Sequence, residues 1–378
     1  MQTSAKTLAH LRFRANPHYE LVLFDRLSPS EKEALNGLAN DPDGYGILRP
    51  REAGRLGVKS ASRELALLFY TLREPGAFPK YALRSLGKDS DAAVAKMVLD
   101  GILEIEANGQ MISGPAAHEY VCPDQTNHQR SDEPTGAIAA LSRRALEYAQ
   151  TLDLADPGIL SGRLYNYNRI PVSPRWRSLL PDRAAVEKLL DVHHSTASEF
   201  RSDEHWFYWH SARWSYDAAK PTYKLYVSPA MDDLPAVFQV AADVAARSPA
   251  ASLKVGGDVY GLLRPDKIIL YVHTFPELQE AAGHILSRIS GCSGHGVPFS
   301  ADLEVGTLLS WGIDPPRDNY TVKWLQQESW RLWVTNRLAS ALVLARGSGT
   351  AEIEPWRFAV ERMRLEGIDT RSWTPLRS

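Results

Sequence analysis

Three short apolar runs in this 378-residue chain carry basic residues among tyrosines and aliphatics. They are Tyr223-Lys-Leu-Tyr-Val-Ser-Pro229, Ser252-Leu-Lys-Val255 and Arg264-Pro-Asp-Lys-Ile-Ile-Leu-Tyr271. Lysine is unusual inside such runs. Strand alternation places Lys224 and Tyr226 on one face, with Leu225 and Val227 on the other. By the same period, Lys267, Ile269 and Tyr271 share a face. Lys224, Tyr226, Lys254, Arg264 and Lys267 would then converge on one concave surface, a set of donors suited to a bound phosphate. Any single member could equally be a surface charge on an edge strand, where lysine is common. Five on adjacent apolar strands are harder to explain that way.

Those strands need a framework. The first 28 residues read as an extended arm with an apolar patch at Glu20-Leu-Val-Leu-Phe24. Ser28-Pro-Ser-Glu31 has the marks of a helix start: a capping serine, a proline at the first helical position and an early acid. Helices are expected over Ala61 to Leu72 and Asp91 to Leu99. Leu103 to Ser113 then reads as two short strands around an Asn108-Gly109 turn. Helices followed by a hairpin make a winged-helix shape. It is either a small packing domain or a docking wing. A wing carrying Glu104 and Glu106 would repel nucleic-acid phosphates, so a peptide is the better partner for it.

Cys122 to Gly136 is polar and reads as a linker. Ala137 to Leu152 is helical. From Gly162 onward the chain turns aromatic and β-like, with helical insertions at Pro235 to Ala246 and Pro276 to Ile289. A long helix follows over Ser329 to Arg346 and a last one over Trp356 to Leu365. The fold expected is α+β: a winged-helix-like unit over 1–121, a linker over 122–136, and a larger antiparallel-sheet domain flanked by helices over 137–378.

Composition excludes several classes. With 43 basic against 45 acidic residues the net charge is −2, which argues against a dedicated nucleic-acid binder. No apolar run reaches the roughly 18 residues that span a membrane, and no signal-peptide core is visible. Cys122 and Cys292 are the only cysteines, so neither a disulfide framework nor a cysteine zinc site is supported. The cytoplasm is the expected location. His193, His194, His205 and His210 match no zinc spacing, and no metal is expected. Gly256-Gly-Asp-Val-Tyr-Gly261 lacks the Walker lysine and reads as a turn between strands. No Gly-x-Ser-x-Gly elbow supports serine hydrolysis. Trp330, Trp333, Trp356 and Trp373 read as core.

The chain also resembles the HopA-type effector family, known from plant-pathogen secretion and from actinobacterial peptide natural-product clusters. The resemblance rests on Gly162-Arg-Leu-Tyr-Asn-Tyr-Asn-Arg-Ile-Pro171, Trp209 to Trp214, the three runs above, Gly296-Val-Pro-Phe-Ser300 and Ser310-Trp-Gly312. These motifs follow in consistent order over residues 160 to 316. The family is distantly similar to bacterial phosphothreonine lyases. It implies elimination of phosphate from phosphoserine or phosphothreonine in a ribosomal precursor peptide, after a separate kinase has installed it, as in lanthipeptide biosynthesis. By that resemblance Lys254 would be the general base, Lys224 a phosphate-contacting lysine and Arg264 a phosphate arginine; Lys267 and Tyr271 would join the phosphate site. Tyr226 stands where the lyases have a histidine acid, so the acid is Tyr226, His210 or His295. No cofactor is implied. A winged hairpin that takes a leader peptide as an added strand fits by fold analogy. The competing reading is a non-catalytic scaffold that holds a phosphopeptide or a kinase in the same cationic pocket.

Overall fold

The computed structural model describes residues 8, 11–34, 44–52, 54, 56–87, 90–122, 133–192, 199–211, 214–215, 222–248, 251–315, 328–346 and 353–375. Its first seven strands are β1 (Arg12–Ala15), β2 (Tyr19–Leu23), β3 (Gly44–Pro50), β4 (Lys59–Ser62), β5 (Gly76–Ala77), β6 (Leu103–Ala107) and β7 (Gln110–Ile112). They form two antiparallel sheets, ordered β5-β1-β6-β7 and β2-β3-β4. The sequence signal in this region is mainly helical, and β3 to β5 go unread: Gly44, Gly46 and Pro50 interrupt the period of β3. The expected hairpin is present. Asn108 and Gly109 both take positive φ, 50° and 76°, as a tight two-residue turn requires. The expected helices are Arg63–Thr71 and Ser90–Leu99, with Lys80–Leu86 between them. Ser28 and Glu31 cap Pro29–Ala34 reciprocally: the Ser28 N–H donates to Glu31 Oε2 at 2.8 Å and the Glu31 N–H to Ser28 Oγ at 3.3 Å. The acidic wing is neutralised within the fold: Arg14 pairs with Glu104 at 2.5 Å and Arg12 with Glu106 at 3.0 Å.

Gly162 onward departs from the β-like expectation. Helices Pro157–Tyr165, Pro174–Leu179 and Arg183–Leu190 come first, each started by an aspartate or serine cap at Asp156, Ser173 or Asp182. Strand structure begins only with β8 (Glu199–Ser202) and β9 (Trp206–His210), followed by β10 (Tyr223–Val227), β11 (Ser252–Gly256), β12 (Ile268–Val272), β13 (Ala301–Asp302) and β14 (Leu309–Ile313). These build a seven-stranded antiparallel sheet in the order β13-β14-β10-β12-β11-β9-β8. With the helices this is an α+β fold.

The period-2 pattern of these strands sorts the sheet into two faces. Phe207, Trp209, Leu225, Leu253 and Leu270 point to one side and are buried against helices Leu234–Arg247 and Phe275–Leu286. The other side carries Tyr208, Tyr226, Tyr271, Lys224 and Lys254, under the loop at Val297 and beside helices Pro157–Tyr165 and Trp330–Ala345.

A second core joins Phe13, Val98, Leu103 and Ala117 to Trp330, Leu338, Leu342 and Phe358 of helices Trp330–Ala345 and Pro355–Arg364. Trp330, Trp333, Trp356 and Trp373 are all buried in it. The N-terminal segment therefore shares its core with the last helices of the chain. Of the polar segment expected as a linker, residues 123–132 lie outside the described residues. No described helix is long and apolar enough to cross a membrane.

Candidate active site

The strand register lines the polar residues up in two rows across the sheet. One row runs Tyr208, Lys254, Ile269, Tyr226, Ser310; the other runs His210, Ser252, Tyr271, Lys224, Gly312. Neighbours in such a row have Cβ atoms about 5 Å apart. Lys254 and Tyr226 thus stand on either side of Ile269 on one face.

Lys254 Nζ lies 4.3 Å from the ring centroid of Trp206 and 5.5 Å from that of Tyr271. Its amine has no hydrogen-bond or ion-pair partner among the described residues. Burial pushes its pKa down to about 8, helped by the nearby charges of Lys224 and Arg264 and opposed by Asp266 and Asp203.

Arg264 reaches the same place from a turn. Gly256 and Gly261 approach so closely that a Cβ on Gly256 would sit 2.4 Å from the Gly261 carbonyl carbon. Asp258 caps the one-turn helix Val259–Leu262 between them by accepting the Gly261 N–H. The glycine-rich motif therefore encloses a short helix and folds the chain back over the end of β11. Arg264 Nε and Nη2 donate to the two carboxylate oxygens of Asp266 at 2.9 and 3.0 Å, and Nη2 also donates to the Tyr165 hydroxyl at 2.9 Å. Its Cζ lies 5.1 Å from the Trp206 ring centroid, so Trp206 packs against both cations.

Asp266 is 2% exposed. Burial alone would raise its pKa, but Arg331 and Arg264 outweigh that and hold the carboxyl well below the usual range. Arg331 Nη1 lies 2.9 Å from Asp266 Oδ2, close enough for an ion pair but outside hydrogen-bond angles. The rest of that guanidinium donates to the backbone carbonyls of Pro298 and Tyr165. The Tyr165 hydroxyl donates to Asp266 Oδ2 at 3.1 Å.

Lys224 donates to Asp314 Oδ1 at 2.5 Å. Tyr226 is 1% exposed, and its phenol has no hydrogen-bond partner among the described residues. Burial raises its pKa well above the ordinary tyrosine value, so the hydroxyl stays protonated and able to donate. Burial does the same to Tyr271.

The sheet thus brings Lys224, Tyr226, Lys254, Arg264 and Tyr271 together. Lys267 and His295 face each other instead. Lys267 is wholly buried just before β12, and its Nζ contacts Pro229 O at 2.8 Å and His295 Nδ1 at 2.9 Å. Burial lowers Lys267 to about 7; burial, then the neighbouring amine, lowers His295 to about 4. His210 shares the site face, with its Nδ1 2.8 Å from Ser252 Oγ. His193 and His194 lie outside the described residues. Among the described residues no three histidine, cysteine or carboxylate side chains converge as a metal site would need.

Asp266, Tyr165, Trp206, Asp314 and Arg331 were not singled out by sequence pattern. Arg331 did leave a signal: it is an arginine inside Trp330-Arg-Leu-Trp333, at the start of a helix that is apolar on nearly every side. A buried charge there requires a buried partner.

Two solved structures are similar in outline to about two thirds of this chain. The effector protein from Pseudomonas syringae pv. tomato strain DC3000 is 12% identical, with a TM-score of 0.44 over 64% of this chain and 99% of that chain. The effector protein from Pseudomonas syringae pv. syringae strain 61 is 13% identical, with a TM-score of 0.41 over 65% of this chain and 100% of that one. No protein-family profile and no curated protein sequence matches the chain.

Proposed function

We propose that this protein is a metal-independent lyase that removes phosphate from phosphoserine or phosphothreonine in a peptide by β-elimination. The observation that carries the reading is the pairing of an amine without a partner, Lys254, with the fixed guanidinium of Arg264 and a buried, protonated phenol on the far side of β12.

The chemistry needs a base for the Cα proton, positive charge for the phosphate dianion and an acid for the leaving oxygen. Lys254 Nζ accepts the proton. The Cα–H electron pair becomes the Cα=Cβ double bond, and the Cβ–O bond breaks. The bridging oxygen leaves with the phosphorus and takes the Tyr226 proton, so the products are a dehydroamino acid and hydrogen phosphate. Arg264 and Lys224 hold the phosphate oxygens. No redox partner or cofactor enters the balance.

The substrate in this reading is a ribosomal precursor peptide of the lanthipeptide type. A separate Ser/Thr kinase phosphorylates it in the cytoplasm, and the Leu103 to Ser113 hairpin is the candidate docking edge for its leader. The division into a docking unit over 1–121 and a lyase unit over 137–378 belongs to the same proposal. Mass spectrometry of a phosphorylated precursor peptide incubated with the protein tests it. Loss of the elements of phosphoric acid, absent with Lys254→Ala, is expected. A peptide that binds unchanged would instead support a scaffold role.

A further inference from the structure

Arg264 carries five N–H donors, and three contacts tie down its Nε and Nη2: two to Asp266 and one to Tyr165. Nη1 is left without a partner among the described residues. Asp266 is itself gripped from the far side by Arg331, which reaches in from helix Trp330–Ala345 and is anchored to two backbone carbonyls. An isolated arginine on a flexible stem would lose side-chain entropy on meeting a ligand. One bonded bidentately to a buried carboxylate is already ordered. The carboxylate also stands among the groups that face Lys254. These are Asp203 and Tyr208 from the β8–β9 side, Lys224 from β10, Tyr271 from β12, and Arg264 with Asp266 from the turn before β12. Asp266 is the largest negative influence on Lys254 in that set.

We infer that Asp266 is a positioning residue of this site: it holds Arg264 with Nη1 free for a phosphate oxygen, and it supplies the negative charge that keeps Lys254 a strong enough base. The inference deepens the lyase reading and rests on it for the identity of the reaction. Two opposed demands meet in this carboxylate. Without it, three cations would face one another and Lys254 would lose its proton too readily to take one from carbon. With it, the cluster keeps a net positive charge for the phosphate, because Arg331 accounts for a second positive charge on the same carboxylate.

The experiment compares wild type, Asp266→Asn and Asp266→Glu in the full chain. Two readouts are independent of turnover. One is acylation of Lys254 by an amine reagent as a function of pH, read by mass spectrometry on the Lys254 peptide. The other is binding of inorganic phosphate by calorimetry. In Asp266→Asn, loss of the negative charge should move the Lys254 labelling midpoint to lower pH, and phosphate affinity should fall about tenfold or more as the guanidinium loosens. Asp266→Glu keeps the charge but misplaces the fork, so phosphate affinity should fall while the labelling midpoint stays. An unchanged midpoint in Asp266→Asn overturns the inference, and so does unchanged phosphate affinity in both variants. If Asp266→Asn does not fold, Asp266→Glu alone decides: full wild-type phosphate affinity overturns the inference. If these shifts appear but the wild type eliminates no phosphate from any phosphopeptide, the lyase reading falls and the role of Asp266 stands.

Discussion

At Lys254 the direction of the pH response follows from the sign of the perturbation. The base works only when neutral, and burial brings its pKa down to about 8. Elimination should therefore be weak at pH 6 and rise through pH 8 to a plateau, measured as kcat/KM against pH. A flat profile across that range would remove Lys254 as the titrating base. Tyr226→Phe keeps the packing and deletes the proton donor, so kcat should fall by about 10²- to 10⁴-fold. Lys267 makes a different prediction. The unfolded lysine holds its proton well above neutrality, whereas the folded amine releases it near 7. Between these values the unfolded chain binds the extra proton, so this residue makes stability rise with pH from 7 upward. Lys267→Met should flatten that slope in denaturant titrations at several pH values. The period-2 pattern puts Lys224 with Tyr226 and Ile269 with Tyr271, and the strand register adds Lys254 to that face. The pattern also puts Lys267 there, because it says nothing of the Gly294–Val297 loop that closes over the strand end. Asp266, in contrast, sat in the Arg264-Pro-Asp-Lys run without a role, since no spacing rule connects it to Arg331 sixty-odd residues on.

Among the elements, the turn from β11 to β12 governs where Arg264 lies. A Cβ on Gly261 would meet Gly256 Cα at 2.7 Å, a backbone atom that cannot swing aside. Gly261→Ala should cost about 1–3 kcal/mol, as overpacking does. It should also weaken phosphate binding, because the displaced helix carries Arg264 with it; chemical denaturation and calorimetry on one preparation check both. This motif was legible as a turn, but its one-turn helix was not, since Asp258 acts as a cap only once the two glycines have met. The same limit explains Gly162 to Leu190. Its aromatics suggested strands, yet the Asp156, Ser173 and Asp182 caps start helices there. A long apolar helix with a clear cap, such as Ser329 to Arg346, was read to within a residue.

Over the whole molecule, a part-buried ionic knot fastens the N-terminal segment to the last helix. Arg362 donates to both Asp100 oxygens at 2.6 and 2.7 Å and to Glu366 at 2.7 Å, while Lys96 pairs with Glu366 at 3.1 Å. Burial would raise Asp100, but Arg362 overrides it and holds it at about 2, so the stability it contributes is lost as pH falls from the ordinary carboxylate range toward 2. Arg362→Ala removes the bidentate partner of a part-buried carboxylate and leaves it only the nearby charges of Lys59 and Lys96, so it should cost about 1–3 kcal/mol in denaturant. No sequence pattern links residues 100 and 362, which is why the units over 1–121 and 137–378 could be drawn from composition without showing the core they have in common.

That common core has a consequence for how the chain is made. Phe13, Val98 and Leu103 emerge from the ribosome well before the side chains that cover them, Leu338, Leu342 and Phe358. The opening segment must wait with apolar surface uncovered while some two hundred residues are added, a state in which nascent chains are prone to aggregate or to engage chaperones. Closure of this core must therefore wait until the helices that carry Leu338, Leu342 and Phe358 have been made.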